Sequence, residues 1–205
     1  MIYTLFPVAL YMNNDASQID LCQSLFQDAD PYFDKAESGF LTTLENYSPA
    51  SCAVSWDPLP LKKTKPLIDF IKEHVANYLS EGKYKNYECE VVNLWFNKMT
   101  KGIVHPVHTH YGYSLSGVYH VQVPGNSAKL MLHNPADGTH HQKFDAAEYV
   151  PHNSYTWWVS TEPGSVILFP SWLKHSVPSE DFEGERRSIA FDVILRPIKQ
   201  LKAKA

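Results

Sequence analysis

The pattern of apolar and polar positions changes near residue 88 of the chain. Before this point, apolar residues recur every three or four positions in two segments, which is the spacing of one face of a helix. After it, short runs rich in β-branched and aromatic residues are separated by Gly, Pro, Asn or Asp. The pattern therefore predicts helices in the first part of the chain and strands in the second.

The first predicted helix follows a predicted strand. Residues 6–12, FPVALYM, favour the strand because most of them are apolar or aromatic. Residues 15–30 favour a helix in which the apolar positions fall near one face. Asp15 or Ser17 is suited to begin this helix, because a short polar side chain can accept a hydrogen bond from the free N–H groups of the first turn.

The second predicted helix is the clearer of the two. Residues 65–82 carry apolar side chains at helical spacing, with Pro66 near the start and Gly82 at the end. Proline is tolerated in the first turn of a helix, and glycine commonly follows the last turn. The Pro- and Ser-rich stretch 47–65 before it is predicted to be a loop.

The second part of the chain is predicted to form a β-sandwich or barrel, because closely spaced short strands are typical of both. We expect one domain over residues 1–205, in which residues 1–87 support a β-core of residues 88–197. The runs predicted to be strands are 89–99, 103–110, 114–123, 128–134, 155–161, 165–170 and 187–195.

The composition indicates a folded protein and gives no sign of a polyanionic partner. Hydrophobic residues make up 44% of the chain and aromatic residues 13%, which favours a packed core over disorder. The formal charge of −4 supplies no basic surface, so we expect neither nucleic acid nor an acidic membrane as a partner. A homodimer is expected only because it is the commonest oligomer of soluble proteins.

The cysteines and the N-terminal residues point to the cytoplasm. Cys22, Cys52 and Cys89 are widely spaced, odd in number and without a C-x-x-C pair, as expected of reduced thiols. No apolar run approaches the length that spans a membrane. The N-terminal residues lack the basic segment and the cleavage site of a signal peptide. We therefore expect a cytoplasmic protein.

Four of the ten histidines fall within residues 105–120, HPVHTHYGYSLSGVYH. If this segment is a strand, His108 and His110 point to the same face and can bind one metal ion. The H-x-H pattern also occurs by chance, so the pair alone leaves metal binding open. His175 supplies a third candidate ligand, and Arg186 follows it at a useful distance. Imidazole suits Fe, Zn, Cu and Ni alike, so the ligands do not identify the metal.

Several segments between residues 93 and 196 resemble the 2-oxoglutarate- and Fe(II)-dependent oxygenases, and among these a bacterial and phage subfamily. The segments are WFNKMTKG, HPVHTH, LSGVYHVQVP, PGSVILFPSWLKHSV and GERRSIAFDV, and the N-terminal LFPVALY is similar to the beginning of that subfamily. The resemblance implies a mainly β fold of the α+β type. This fold is a double-stranded β-helix, in which two sheets form a squashed, cupin-like jelly-roll barrel with the N-terminal helices packed on one sheet.

The resemblance also implies an active site and an activity. The implied residues are, for Fe(II), His108, His110 and His175, and, for the cosubstrate 2-oxoglutarate, Arg186, Ser188, Tyr119 and, more weakly, Asn97. Arg187 is expected to point to the opposite face of its strand. A guanidinium fork matches the far carboxylate of 2-oxoglutarate better than lysine does. The implied activity is hydroxylation of a small-molecule or peptidyl substrate with O2, coupled to decarboxylation of 2-oxoglutarate to succinate.

Two positions depart from the pattern of these oxygenases. Their usual iron ligands are two histidines and a carboxylate, H-x-D…H, whereas position 110 holds a histidine. Losing that carboxylate removes a negative charge beside the iron and should weaken Fe(II) binding. Three alternatives stay open: H-x-H is normal in the subfamily, Asp192 or Asp137 enters as a ligand, or the protein is inactive. His120 stands where relatives often carry an aromatic residue, and it is predicted, like His105, to be a bystander or to lie behind the ligands.

Two other functions fit parts of the pattern. A cupin shares the barrel and can bind metal through three histidines, but the glutamate of its motif is missing after His110. A non-catalytic barrel would use Trp157, Trp158 and Trp172 to bind a small molecule or a sugar. Core packing explains these residues as well, because the alternation in YTWWVST predicts one of the adjacent tryptophans inside and one outside. Arg186 separates the readings, since only the oxygenase needs it.

Overall fold

The computed structural model describes residues 4, 7–36, 52–55, 61–125, 129–136, 146–178 and 181–198. Within these residues the chain forms two α-helices and ten β-strands. The helices are α1 (Ile19–Ala36) and α2 (Leu61–Glu81), and a short 3-10 helix, Ala16–Gln18, precedes α1. The strands are β1 (Tyr11–Asn14), β2 (Cys52–Ser55), β3 (Tyr87–Met99), β4 (His105–His108), β5 (Leu115–Gln122), β6 (Leu130–His133), β7 (Thr156–Val159), β8 (Ser165–Pro170), β9 (His175–Val177) and β10 (Arg186–Pro197).

The strands form two antiparallel sheets. The larger sheet has the order β1-β8-β5-β10-β3-β2, and the smaller one has the order β4-β9-β6-β7. β1 and β2 come from the first third of the chain, yet they form the two edges of the larger sheet. The N-terminal part therefore completes the β-core as well as covering it.

Two apolar layers hold these elements together. One lies between the helices and the outer face of the larger sheet, and the other lies between the two sheets. β8 belongs to both, because Val166 and Leu168 face the helices whereas Ile167 and Phe169 face the smaller sheet. A strand that is buried on both faces shows no polar alternation, which explains the uninterrupted run VILF in the sequence.

The two helices begin and end partly as predicted. Asp15 is the N-cap of the 3-10 helix, because its carboxylate accepts a hydrogen bond from the Ser17 N–H at 2.9 Å. α1 then continues past the predicted end and includes Pro31. α2 stops before Gly82 as predicted, but it begins at Leu61, so Pro66 lies inside the helix rather than near its start. Neither helix of the described chain is long and apolar enough to cross a membrane.

Three strands differ from the prediction. β1 begins at Tyr11, later than the predicted start at residue 6. β2 lies within the stretch 47–65 that was expected to be a loop, and residues 47–51 and 56–60 of that stretch are outside the described residues. The sequence does not predict β9, because three residues are too few to show a period.

Candidate metal centre

His108, His110 and His175 come together in a cavity that both sheets line. His108 ends β4, His175 begins β9, and the two residues are direct cross-strand partners. Their ring centroids lie 4.2 Å apart, and the His110 centroid lies 5.2 Å from that of His108 and 5.1 Å from that of His175. One nitrogen of each ring lies within 4.8 Å of the other two, so the set can hold one metal ion.

His110 reaches this cluster from a loop and not from a strand, which corrects the sequence argument. β4 ends at His108, and its register is irregular between His105 and His108, so the same-face rule for strands does not place His110. The His110 backbone N–H donates instead to the Ser171 carbonyl at 2.9 Å. This bond ties the loop after β4 to the segment that leads from β8 to His175.

In two of these histidines, the Nδ1 atom lies within hydrogen-bonding distance of a backbone carbonyl oxygen. His108 Nδ1 lies 2.7 Å from the carbonyl oxygen of Pro106, and His175 Nδ1 lies 2.9 Å from that of Leu173. Because a carbonyl only accepts, each Nδ1 carries the proton and donates it. The Nε2 lone pairs are thereby left for a metal ion, and the same bonds fix the orientation of the rings.

The surroundings of both histidines favour the neutral form that binds metal. Burial lowers the pKa of His108. Burial, followed by the neighbouring His108, lowers the pKa of His175 to about 3. A metal ion binds only an unprotonated imidazole nitrogen, so these environments favour metal binding at neutral pH.

His110 differs from the other two histidines because its Nδ1 faces a carboxylate. His110 Nδ1 lies 2.8 Å from Asp192 Oδ1, and Asp192 is fully buried. Ser116 Oγ donates to the same oxygen at 2.7 Å, and Asn93 Nδ2 donates to the other oxygen at 3.1 Å. Because the Ser116 proton is committed to Asp192, the Ser171 hydroxyl is the donor in its 2.8 Å contact with Ser116 Oγ. Asp192 therefore connects His110 to a buried polar network.

The position of Asp192 bears on the alternatives left open by the sequence. Asp192 lies behind His110 and is not one of the residues whose ligand atoms converge in the described chain. Asp137, the other carboxylate considered, lies outside the described residues. The converging ligand set of the described residues therefore consists of three histidines.

The larger sheet forms one wall of the cavity, and strand pairing arranges its side chains in three rows. Each row takes one residue from β3, one from β10 and one from β5. The first and third rows are polar, whereas the second is apolar. The rows are Asn97–Ser188–His120, Trp95–Ala190–Val118 and Asn93–Asp192–Ser116.

The cavity has a volume of about 200 Å³ and brings together most of the predicted site residues. Those that line it are His108, His110, His175, Arg186, Ser188 and Asn97. The three histidines and the buried guanidinium thus share one space. A metal ion and an anion can therefore occupy the cavity side by side.

Arg186 is buried, and neutral groups hold it in place. Its Nη2 donates to His120 Nε2 at 2.9 Å, and its Nη1 lies 3.4 Å from Ser188 Oγ and 3.5 Å from Met99 Sδ. His120 Nδ1 in turn donates to the Ser165 carbonyl at 3.2 Å. Burial, followed by the charge of Arg186, holds the pKa of His120 well below its usual range, so His120 is neutral. The positive charge of Arg186 is therefore not cancelled by His120.

Tyr119 faces away from the cavity, which corrects its predicted contact with the cosubstrate. Its hydroxyl donates to the Asp15 carbonyl at 2.9 Å, and its ring packs edge-on against Phe70 of α2 with centroids 5.2 Å apart. Side chains alternate along β5, so His120 and not Tyr119 points toward Arg186. Alternation along this strand does put His120 on the same face as Ser116, but it does not show which face lines the cavity.

His105 also lines the cavity, although the sequence analysis set it aside. Regular strand alternation would put His105 on the face opposite His108, but the irregular register of β4 removes that alternation. Its Nε2 is buried and has no hydrogen-bond partner within the described residues. Burial, followed by His108 and Arg186, lowers the pKa of His105 to about 4, so the ring is neutral.

Two other predictions concern residues outside the cavity. Arg187 faces the opposite side of β10, as predicted, where it pairs with Glu185 at 2.8 Å and lies over the Phe26 ring. The prediction that one of two adjacent tryptophans points inward was wrong, because Trp157 and Trp158 are 38% and 44% exposed. They lie on β7, an edge strand of the smaller sheet, and the buried residue of that strand is Val159.

Comparison with known families agrees with this geometry. Residues 93–192 match the family model described as "Putative 2OG-Fe(II) oxygenase", where 2OG stands for 2-oxoglutarate. The match runs from β3 to Asp192 in β10 and includes the three histidines and Arg186. A comparison with curated proteins gives no match.

Solved structures share the fold at low sequence identity. A prolyl-4-hydroxylase from Pseudomonas putida is 14% identical, with a TM-score of 0.59, over 91% of this chain and 93% of that one. HygX from Streptomyces hygroscopicus with nickel and 2-oxoglutarate bound is 12% identical, with a TM-score of 0.58, over 91% of this chain and 82% of that one. HygX has also been solved with iron bound.

A third structure matches over a smaller part of its length. An oxidoreductase of the 2OG-Fe(II) oxygenase family from Burkholderia pseudomallei is 13% identical, with a TM-score of 0.50, over 66% of this chain. This chain spans only 59% of that protein. Together the three likenesses confirm the predicted fold class, a double-stranded β-helix with helices packed on one sheet.

Proposed function

Because residues 93–192 match the family model of 2-oxoglutarate- and Fe(II)-dependent oxygenases, we propose that this protein hydroxylates a small-molecule or peptidyl substrate. In that reaction one oxygen atom of O2 enters the substrate and the other enters succinate, which forms as 2-oxoglutarate loses CO2. One observation carries the proposal: three converging histidines and the buried Arg186 line the same cavity.

His108, His110 and His175 are the proposed holders of Fe(II). Neutral imidazole is a suitable ligand for ferrous iron, and three ligands leave other coordination positions open. When bound, iron and 2-oxoglutarate supply the oxidising chemistry, for which open positions are required. The protein presents the Nε2 atoms to the metal ion and holds each ring by a contact at its Nδ1 atom.

Arg186 is the proposed partner of the far carboxylate of 2-oxoglutarate. Its guanidinium offers parallel N–H donors in the geometry that a carboxylate accepts. Ser188 and Asn97 are cross-strand neighbours beside it, and they offer a hydroxyl and an amide donor to the same group. His120 aims the guanidinium without cancelling its charge, because it accepts the Arg186 bond while neutral.

The apolar row lies between the two polar rows of the wall. Trp95, Ala190 and Val118 place no charged group in this part of the cavity. Two methylene groups separate the carboxylate that pairs with arginine from the 2-oxo end of the cosubstrate, and such groups are stabilised by apolar surroundings. An apolar wall also excludes water, which strengthens the attraction between Arg186 and a carboxylate.

Location and partners form a further part of the proposal. We propose that the protein works in the cytoplasm and that its substrate is not a nucleic acid or a membrane surface. Cys22 and Cys89 are both free, which is typical of a reducing compartment. The formal charge of −4 supports the exclusion of polyanionic partners. The homodimer stays a prediction.

An anaerobic titration tests the proposed function. Metal-free protein receives Fe(II) and then 2-oxoglutarate, and the weak visible charge-transfer band of an iron–2-oxoglutarate chelate is followed. We expect the band in the native protein and its loss in His175→Ala, because a ligand is removed. Arg186→Ala should need far more 2-oxoglutarate to produce the band. Arg187→Ala is the matched control, since it also removes a guanidinium from β10. The Arg187 guanidinium pairs with Glu185 outside the cavity.

The other outcomes of this titration are equally decisive. Iron binding without the band in the native protein would contradict the proposal and favour a cupin-type enzyme with three histidines. No metal binding at all would make the histidine cluster structural. If the band appears, succinate release in the presence of O2 and candidate substrates then identifies the substrate.

A further inference from the structure

The structure suggests why a histidine can stand at position 110, where these oxygenases usually have a carboxylate. We propose that Asp192 supplies, from behind His110, the negative charge that a carboxylate ligand would otherwise give to the metal. The inference rests on the proposed function, since it concerns the same three histidines. Asp192 is a positioning residue, because it acts through His110 and is not one of the converging ligands.

The Asp192 carboxylate lies behind the ligand position where these oxygenases usually have a carboxylate. His108 and His175 direct Nδ1 at backbone carbonyls, whereas His110 directs it at a carboxylate 2.8 Å away. Among the described residues, Asp192 thus contacts the histidine ligand that stands in place of the usual carboxylate ligand. A purely structural aspartate would have no reason to be paired with this histidine rather than with either of the others.

The charge balance of the site also favours this role for Asp192. Three neutral imidazoles alone would leave both positive charges of Fe(II) uncompensated by ligands in a largely buried cavity, which is unfavourable. The pair of His110 and Asp192 carries one negative charge as a unit, as an aspartate ligand does. An imidazole that gives its Nδ1 proton to a carboxylate is also a more basic ligand through Nε2.

Hydrogen bonds from the two neighbouring strands hold the Asp192 carboxylate in place. Asp192 is fully buried, and a buried charge needs partners at both oxygens. Ser116 donates to Oδ1 and Asn93 donates to Oδ2, and both are its cross-strand neighbours in the same row. These bonds keep Oδ1 directed at His110, so its charge stays beside the ring.

Cobalt(II) titration tests the inference, because the visible spectrum of cobalt reports both binding and the type of coordination. Asp192→Asn keeps the shape of the side chain but removes its charge. We expect its dissociation constant for cobalt to rise about 10- to 100-fold, the usual effect of losing a carboxylate behind a histidine ligand. Ser116→Ala is the control, since it removes a hydrogen bond to Asp192 but leaves the charge, and it should bind cobalt nearly as the native protein does.

A charge swap provides a second test, because a merely structural role of Asp192 predicts a different result. Adding His110→Asp to the Asp192→Asn variant returns one carboxylate to the site, now as a ligand. The double variant should bind cobalt more tightly than Asp192→Asn alone, with a changed spectrum because an oxygen replaces a nitrogen. If Asp192 supplies charge to the metal, His110→Asp should raise cobalt affinity more in the Asp192→Asn background than in the native one. If Asp192 only joins β3, β10 and β5, His110→Asp should change cobalt affinity by the same factor in both backgrounds.

The outcomes separate this inference from the proposed function. If the native protein binds no cobalt, the proposed function fails and this inference with it. If it binds cobalt and Asp192→Asn binds equally well, only the inference is overturned. Should Asp192→Asn not fold, the zinc-loaded native protein with 15N-labelled histidine decides. The Nδ1 proton of His110 should then resonate further downfield than those of His108 and His175, and equal shifts would overturn the inference.

Discussion

His120 shows how a single residue sets the charge available in the cavity. Its Nε2 accepts from Arg186 at 2.9 Å, and its Nδ1 donates to the Ser165 carbonyl at 3.2 Å. A carboxylate at this position would also hold Arg186, but it would cancel the positive charge. A neutral ring orients the guanidinium without cancelling its charge.

Three substitutions of His120 separate orientation from charge. His120→Gln keeps a neutral acceptor for Arg186, so the dissociation constant for 2-oxoglutarate should change only a few-fold. His120→Phe removes the acceptor and should lower the free energy of unfolding by about 1–3 kcal/mol, because the Nη2 donor loses this partner. His120→Asp should weaken 2-oxoglutarate binding at least about tenfold, about 1.4 kcal/mol.

The readout for this series is the anaerobic titration of Fe(II)-loaded protein with 2-oxoglutarate. His133→Asp is the control, because it adds a carboxylate to β6, where His133 contacts Ser176 and does not line the cavity. Native affinity in His120→Asp would show that binding of the cosubstrate does not depend on the positive charge of Arg186.

Among the elements, β10 has the central part in the site. It lies between β3 and β5 in the larger sheet, and its alternate residues Arg186, Ser188, Ala190 and Asp192 all face the cavity side. The opposite face of the same strand packs Ile189, Phe191 and Val193 against the helix layer. Packing on the helix side therefore controls how the strand presents its polar residues to the cavity.

Gly117 of β5 is a point where this packing can be tested. A Cβ at this position would lie 2.4 Å from Phe191 Cζ and 2.6 Å from Leu168 Cδ2, and both side chains are fully buried. Gly117→Ala should therefore lower the free energy of unfolding by about 1–3 kcal/mol through overpacking, and Gly117→Val should lower it more. Urea unfolding of the metal-free protein measures both effects.

A second substitution checks that overpacking is the cause. In the Gly117→Ala background, Phe191→Leu should cost less stability than it does in the native protein, because it removes the atoms that clash. Two fully additive effects would contradict this explanation, since residues in contact are expected to couple.

For the molecule as a whole, the buried histidines link stability to pH. Five histidines on the two sides of the larger sheet have lowered pKa values, and burial is the largest cause for each. These residues are His74, His105, His108, His120 and His175. In the unfolded chain these residues take up a proton near pH 6.5. The folded protein takes up those protons only at lower pH, to about 4 for His105 and about 3 for His175.

We therefore expect the metal-free protein to lose stability as the pH falls below about 6.5. The unfolded state binds more protons in this range, so each such histidine lowers the free energy of unfolding by up to about 1.4 kcal/mol per pH unit. Urea midpoints at pH 7.5, 6.5 and 5.5 measure the slope. His120→Gln should make this slope shallower. A flat profile would mean that the histidines are not buried in neutral form.

The sequence by itself determined the β-rich class of the fold, the helix over most of residues 65–82 and the identity of the three converging histidines. These features depend on local information: alternation, helical spacing, turn residues and residue types with distinctive chemistry. The prediction that Arg187 faces away from Arg186 is equally local, because neighbours on a strand always point to opposite faces. The family resemblance added two expectations about these residues, that the three histidines bind Fe(II) and that Arg186 binds 2-oxoglutarate.

Only the tertiary structure decided which side of a strand faces the cavity and which residues meet across it. His120 and Ser188 are paired across β5 and β10, and Asp192 meets His110 from a strand far along the chain. Tyr119 was misplaced because a strand pattern shows which residues share a face but not which face is covered by helices. His105 and His110 reach the cavity through an irregular register and a loop. Register, loop path and sheet packing are long-range properties, and no local period in the sequence encodes them.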